Sequence, residues 1–76
     1  MSKFTKTYNT EINEKQRTTL TSAFKTIASY ILNQEKRDVE VIVDKFQGKQ
    51  IIAKMIVDNH CLEAVIIGPR GGATVL

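Results

Sequence analysis

The sequence is poor in the residues that form covalent cross-links and metal sites. Its 76 residues include one cysteine, Cys61, one histidine, His60, and no tryptophan. A single cysteine excludes an internal disulfide and favours a reducing compartment, so we expect a cytoplasmic protein. A structural zinc site usually takes four Cys or His ligands, which one chain does not contain. We therefore expect no metal and no cofactor, a buried Cys61 and a polar turn at His60.

Long apolar runs are also missing. No stretch approaches the roughly 18 apolar residues of a membrane span, and residues 1–10 contain no apolar run of signal-peptide length, so we expect no membrane partner. The length suits one domain, 1–76, which would bury only about 60% of the surface of the unfolded chain. Domains with so small a core are often stabilised by oligomerisation.

Nor do the polar residues form a catalytic set. The carboxylates are spread along the chain, and no glycine pattern matches a phosphate-binding fingerprint. His60 and Cys61 are adjacent, and neighbouring side chains on a strand point to opposite faces, which is unsuitable for a nucleophile and its base. We expect a binding protein and not an enzyme.

One helix is predicted from Glu14 to Gln34. Asn13 is positioned to cap it, with Gln16 reaching back from the third helical position. The apolar residues recur at spacings of four, three and four, which is typical of a helix with one buried face. These residues are Leu20, Phe24, Ile27 and Ile31.

Strands account for most of the remaining chain. Residues 3–8 alternate imperfectly and predict a short first strand. Three segments rich in Val and Ile follow at 39–46, 50–58 and 62–67, separated by the turn sequences Gln47-Gly48-Lys49 and Asp58-Asn59-His60. The predicted fold is α+β in the order β-α-β-β-β, with one helix packed on a small antiparallel sheet. Its most buried residues should be Leu20, Phe24, Ile27, Ile31, Val41, Val43, Ala53 and Met55.

The sheet face away from the helix is the second informative feature. Apolar and charged residues alternate there, whereas a solvated face would be polar throughout. Since one helix covers only one face, the sequence predicts a homo-oligomer, at least a dimer, formed through the outer face. The third strand is apolar on both faces, so either Val65 and Ile67 or Ala64 and Ile66 would contribute. The predicted interface is Ile42, Ile52, Ile56, Val65 and Ile67.

The segment Gly68-Pro69-Arg70-Gly71-Gly72 is the strongest local motif. An arginine between proline and glycines lies in backbone that turns sharply and presents N–H groups, as in small anion-binding nests. Its guanidinium is suited to a phosphate or carboxylate. The alternative interpretation is a surface turn. The predicted ligand site is Arg70, Gly71, Gly72 and Gly68.

Three binding functions remain open. Eleven Lys and Arg against eight Asp and Glu give a charge of +3, which favours anionic partners. The first hypothesis is an oligomer that binds a phosphorylated small molecule such as a nucleotide, for sequestration or sensing, as a phage accessory protein would. The second is a protein-interaction module, an inhibitor or adaptor, that uses the outer sheet face. The third, less favoured, is nucleic-acid binding through basic N-terminal residues with nearby aromatic residues: Lys3, Lys6, Lys15, Arg17, Phe4, Tyr8 and Phe46.

Overall fold

A computed structural model describes residues 3–76, so the first two residues of the predicted 1–76 domain lie outside the described part. One long helix packs against a five-stranded sheet, which confirms the α+β class. The predicted β-α-β-β-β order does not match the observed order, because a π-helical turn follows the helix and a fifth strand ends the chain. The elements are β1 Phe4–Tyr8, α1 Glu14–Tyr30, the π-helical turn Ile31–Glu35, β2 Val39–Lys45, β3 Ile51–Val57, β4 His60–Ile67 and β5 Ala73–Val75.

Helix α1 begins where the sequence predicts. The side chain of Asn13 accepts a 2.8 Å hydrogen bond from the backbone N–H of Gln16, and the Asn13 N–H donates to the Gln16 side chain at 3.0 Å. This reciprocal pair is a capping box. Buried Gln16 also donates to the carbonyl of Lys49 at 3.1 Å, which attaches the start of the helix to the β2–β3 turn.

The buried stripe of α1 differs from the predicted one at one position. Leu20 and Phe24 are each 2% exposed, as expected, but Ile27 is 39% exposed and Ala28 is buried in its place. A spacing of four from Phe24 to Ala28 continues the line of Leu20 and Phe24, whereas a spacing of three turns Ile27 to the flank of the helix. The expectation that Ile27 belongs to the core is wrong.

The sheet is mixed, which corrects the prediction of an antiparallel sheet. Its strand order is β1-β2-β3-β4-β5, and β1 runs parallel to β2 with Phe4 opposite Val39 and Tyr8 opposite Val43. The other three pairs are antiparallel. Because α1 lies between β1 and β2 in the chain, it carries the backbone back to the starting edge, and the two strands then run in the same direction.

A two-residue turn joins β3 to β4. Asp58 and Asn59 have φ of 51° and 65°, the left-handed values that a tight type I′ hairpin requires at both positions. Strand β4 therefore begins at His60, two residues before the predicted start. Its pairing with β3 shifts register between Met55 and Ile56, which marks a β-bulge.

That register decides which residues of β4 face α1. Val65 and Ile67 lie opposite Ala53 and Ile51 and are 1% and 0% exposed, so they belong to the core. The prediction that they contribute to an outer-face interface is wrong. Cys61, expected to be buried, is exposed beyond the bulge.

The core lies between α1 and one face of the sheet. It is a single cluster of side chains that are at most 5% exposed, with Phe4, Ile12, Ala23 and Leu32 packed against it. Burial of apolar area on this scale is what stabilises a chain without cross-links. The cluster comprises Leu20, Phe24, Ala28, Ile31, Val39, Val41, Val43, Ile51, Ala53, Met55, Val57, Val65 and Ile67. Within residues 3–76, no helix is long and apolar enough to cross a membrane.

Candidate functional site

The loop from Gly68 to Gly72 joins β4 to β5 as a compact hairpin turn. Gly71 N–H donates to the Gly68 carbonyl at 2.9 Å, and Gly68 N–H donates to the Gly72 carbonyl at 2.9 Å. Gly71 has φ of 89°, so the loop resembles a three-residue hairpin with a left-handed residue at its end. Two of the N–H groups that an anion-binding nest would offer are therefore engaged in the turn.

The same loop is anchored to the first turns of α1. Asn13 Nδ2 donates to the Pro69 carbonyl at 2.9 Å, and Thr19 Oγ1 donates to the Gly71 carbonyl at 2.6 Å. Arg70 is exposed at the tip, in a shallow depression that it shares with Glu14, Lys15 and Thr18. Glu14 in this depression opposes anion binding and Lys15 favours it, so the ligand site predicted at Arg70, Gly71, Gly72 and Gly68 stays a prediction.

A smaller but more enclosed cleft lies between α1 and the edge strand β1. Its volume is about 250 Å³, and successive turns of α1 form one of its walls. The floor is apolar: Leu20, Phe24, Ala28 and Val41 are core residues that close it from below, and half-buried Phe4 is the floor residue most open to solvent. Apolar clefts with a few polar groups at the rim are the usual form of small-ligand sites.

The rim of this cleft is polar and basic. It consists of Lys6 from β1 together with Thr21, Lys25 and Ser29 from α1. The Lys6 ammonium lies 5.6 Å from the centre of the Phe4 ring, where the quadrupole of the ring attracts a cation. Phe4 thus holds the charge of Lys6 above the apolar floor.

Neither lysine at the rim is neutralised. Among residues 3–76, the ion pairs are those of Arg37 with Glu35 at 3.3 Å and with Asp58 at 3.4 Å, both outside this cleft. Lys6 and Lys25 have no carboxylate within pairing distance in that part of the chain. Two unpaired cations at one rim attract an anion, and their affinity for it falls as salt rises.

The two rim hydroxyl groups differ in what they can donate. Thr21 Oγ1 donates to the Arg17 carbonyl at 3.0 Å within α1, so its proton is engaged. Ser29 makes no hydrogen bond through its side chain within residues 3–76, which leaves its hydroxyl available to a ligand oxygen. Ser29 is therefore the neutral donor that this rim offers.

The basic surface continues from the cleft toward the start of α1. The Arg17 guanidinium lies 5.5 Å from the centre of the Tyr8 ring, and Tyr8 is 39% exposed. Phe4, Lys6 and Tyr8 occupy every second position of β1, on the side of the sheet that carries α1. Cations and aromatic rings therefore alternate along this edge of the molecule.

Sequence reasoning identified part of this cleft and missed the rest. It named Phe4 and Lys6, but it grouped them with Tyr8 and Arg17, which lie outside the cleft, and with Lys15, which lies beside the β4–β5 loop. It missed the rim residues of α1. A signal was present, since the polar residues recur every four positions, as one flank of a helix requires. The rim residues Thr21, Lys25 and Ser29 continue this spacing from Arg17, which lies outside the cleft.

The outer face of the sheet is uncovered. Its central side chains are all half-buried, and the register sets Ile52 opposite Ile66, and Ile42 opposite Lys54. Ala64 and Ile66 take the outer positions of β4 that Val65 and Ile67 were expected to hold. The face comprises Glu40, Ile42, Asp44, Ile52, Lys54, Ile56, Ala64 and Ile66.

Within residues 3–76, no group of three or more His, Cys, Asp or Glu side chains is arranged to hold a metal ion. The chain matches no family model, no curated protein and no solved structure.

Proposed function

We propose that the protein binds a small phosphorylated ligand of the nucleotide type in the cleft between α1 and β1, without catalysing a reaction on it. The observation that carries the proposal is the combination of an apolar floor with two unpaired lysines at the rim. A nucleotide has the complementary composition, since a flat apolar base is joined to a charged phosphate. Sequestration or sensing of such a ligand in the cytoplasm, as in a phage accessory protein, is consistent with a site that has no catalytic group.

Each part of the cleft has a distinct role in this proposal. The base would stack against Phe4, and the phosphate would lie between Lys6 and Lys25, with Ser29 donating a hydrogen bond. The cleft volume of about 250 Å³ is smaller than the roughly 300–1,000 Å³ of sites that enclose a whole drug-sized ligand. The cleft would therefore hold the base, while the phosphate remains at the rim, where solvent screens its charge.

Isothermal titration calorimetry with a panel of nucleoside mono-, di-, tri- and cyclic phosphates tests the proposal. We expect at least one to bind, and Lys6→Ala and Lys25→Ala each to weaken binding about tenfold, at the low end of the effect of hydrogen bonds to a charged group. Lys49→Ala removes the same charge from the exposed β2–β3 turn and is the matched control. Binding that survives the Lys6→Ala, Lys25→Ala double substitution would exclude the cleft.

Arg70→Ala separates the cleft from the β4–β5 loop. Under our proposal it leaves affinity unchanged, since Arg70 lies at the tip of the loop and not at the cleft rim. If Arg70→Ala instead weakens binding by roughly 1.5–3 kcal/mol while Lys6→Ala does not, the ligand binds at the loop. Arg70→Lys should then restore only part of the affinity, because an ammonium cannot form the bidentate contact.

Single-stranded nucleic acid is the second candidate ligand, favoured by the alternation of cations and aromatic rings along β1. Phe4 and Tyr8 are the stacking surfaces, and Lys6 and Arg17 lie over their rings. An oligonucleotide that contacts several phosphates loses affinity steeply with salt, with a log–log slope of about −0.7 per phosphate. Tyr8→Ala should weaken oligonucleotide binding and leave mononucleotide binding unchanged, since Tyr8 lies outside the cleft.

A further inference from the structure

We propose that the uncovered sheet face binds a second copy of the same chain, in a two-fold dimer that places β2 of each copy over β3 of the other. The face is apolar at its centre through Ile42, Ile52, Ile56 and Ile66, all half-buried. The described residues contain one long helix, and it covers the opposite face. A face that presents this many branched apolar side chains is rarely left to solvent.

The arrangement of charges on this face favours a second copy of the chain as the partner. Lys54 on β3 lies directly opposite Ile42, and Glu40 and Asp44 flank Ile42 on β2, so both acids are diagonal neighbours of the lysine. Within residues 3–76, neither Glu40 nor Asp44 forms an ion pair with Lys54, because their carboxylate oxygens lie more than 4.0 Å from its ammonium. The face therefore presents two acids on one strand and one base on the next, with no ion pair among them, and Asp44 Oδ1 accepts a 2.8 Å hydrogen bond from Asn9 Nδ2.

A two-fold axis parallel to the strands, between β2 and β3, pairs these charges. It keeps each residue at its own level along the strands and exchanges β2 with β3, so Lys54 of one copy lies over Ile42 of the other. The lysine is then between Glu40 and Asp44 of the second copy. An axis perpendicular to the strands would instead set acid over acid. Two-fold dimers use the same patch on both copies. Here each lysine lies between two acids of the other copy, while Ile52 and Ile56 lie over Asp44 and Glu40.

The dimension of the face is compatible with a reversible dimer. An axis between β2 and β3 overlaps β1 to β4 and leaves β5 outside the contact. Strands spaced about 4.8 Å apart and rising about 3.4 Å per residue then give roughly 400 Å² per copy. The total of about 800 Å² is in the range of weak, transient interfaces. Two sheets would pack face to face about 10 Å apart, and the cleft between α1 and β1 would remain open on each copy.

A charge-exchange experiment tests this arrangement by sedimentation equilibrium on the full chain. Lys54→Glu makes all three charged residues of the face acidic, and Glu40→Lys with Asp44→Lys makes all three basic. We expect each variant alone to be monomeric, with association weakened at least tenfold from wild type, and their equimolar mixture to form a heterodimer. Thr18→Glu, on the solvent side of α1, is the control and should dimerise as wild type does.

Circular dichroism of each variant tests whether the fold is retained. We expect that it is, since both groups of substitutions lie on an outer face and Asp44→Lys removes only the exposed hydrogen bond from Asn9. Two results would overturn the proposal. A wild-type chain that remains monomeric at high micromolar concentration has no such interface. A Lys54→Glu variant that still dimerises uses a different surface. The cleft proposal is tested separately, because ligand affinity of a monomeric variant does not depend on this face.

Discussion

The hydroxyl of Thr19 donates a 2.6 Å hydrogen bond to the carbonyl oxygen of Gly71, across 52 positions of the chain. The bond holds the β4–β5 turn against the second turn of α1. An added Cβ at Gly71 would lie 3.0 Å from Thr19 Oγ1 and 3.2 Å from the Lys15 carbonyl, so a side chain fits only if these atoms shift by a few tenths of an ångström. The glycine is required here both by this close approach and by its φ of 89°.

Gly71→Ala should therefore lower the free energy of unfolding by about 1–3 kcal/mol, the usual cost of a left-handed non-glycine residue in a crowded position. Gly72→Ala is the matched control, since nothing lies within 4 Å of its added Cβ. Urea denaturation monitored by circular dichroism measures both. Equal stabilities for the two variants would show that the loop moves away from α1 without cost.

The capping box gives a second prediction. Asn13→Ala removes the acceptor for the Gln16 N–H and the donor to the Pro69 carbonyl, and we expect a loss of about 1–2 kcal/mol. Asn13→Asp keeps the acceptor and loses only the donor, so it should retain most of the cap stabilisation. The difference in urea midpoint between the two variants isolates the cap. If both lose the same stability, the contact to Pro69 is the dominant one.

Phe24 and Ile27 provide a third comparison, because they are three positions apart on α1 and differ in burial. Phe24 is 2% exposed and Ile27 is 39% exposed. Phe24→Ala should cost about 3–5 kcal/mol, enough to unfold a small domain, whereas Ile27→Ala should cost well under half as much. Thermal unfolding followed by circular dichroism measures both changes. A large loss at Ile27 would place that flank of the helix against another surface, such as a partner.

The β3–β4 turn gives a fourth prediction. Asn59 has φ of 65°, which asparagine tolerates and a β-branched residue does not. Asn59→Val should cost about 1–2 kcal/mol, and Asn59→Gly, which also adopts this backbone readily, should be near neutral. Both substitutions change an exposed residue, so the difference in unfolding free energy reports the backbone alone. Similar losses in the two variants would assign the effect to the asparagine side chain.

Much of the fold follows from local sequence patterns. Asn13 and Gln16 specify the start of α1, and alternation assigns Val39, Val41 and Val43 to the helix side of β2, where the structure buries them. These features depend on neighbours a few positions apart. The predicted outer face of β2 and β3 is likewise half-buried, but whether it forms an interface stays a prediction.

The sequence predictions fail where contacts between distant parts of the chain decide the structure. In β4, both faces are apolar, so alternation cannot choose between Val65 and Ile66, and the bulge near Leu62 sets the answer. The parallel pairing of β1 depends on where α1 returns the chain, which no local pattern records. The cleft is similar, because its two walls come from Lys6 on β1 and Lys25 on α1, and only packing brings them together.

The parallel pairing of β1 with β2 has a consequence for the dynamics of the cleft. Strands β2, β3 and β4 are joined by short turns. Strand β1 pairs with β2 only when a long loop closes, and Asn9 and Asp44, which then form a hydrogen bond, are 35 positions apart. Local contacts cost less loop-closure entropy and form first. Strand β1 is also an edge, so its amide protons should exchange through partial opening at lower free energy than those of β3. A ligand that bridges Lys6 and Lys25 would then slow hydrogen exchange selectively in Phe4–Tyr8.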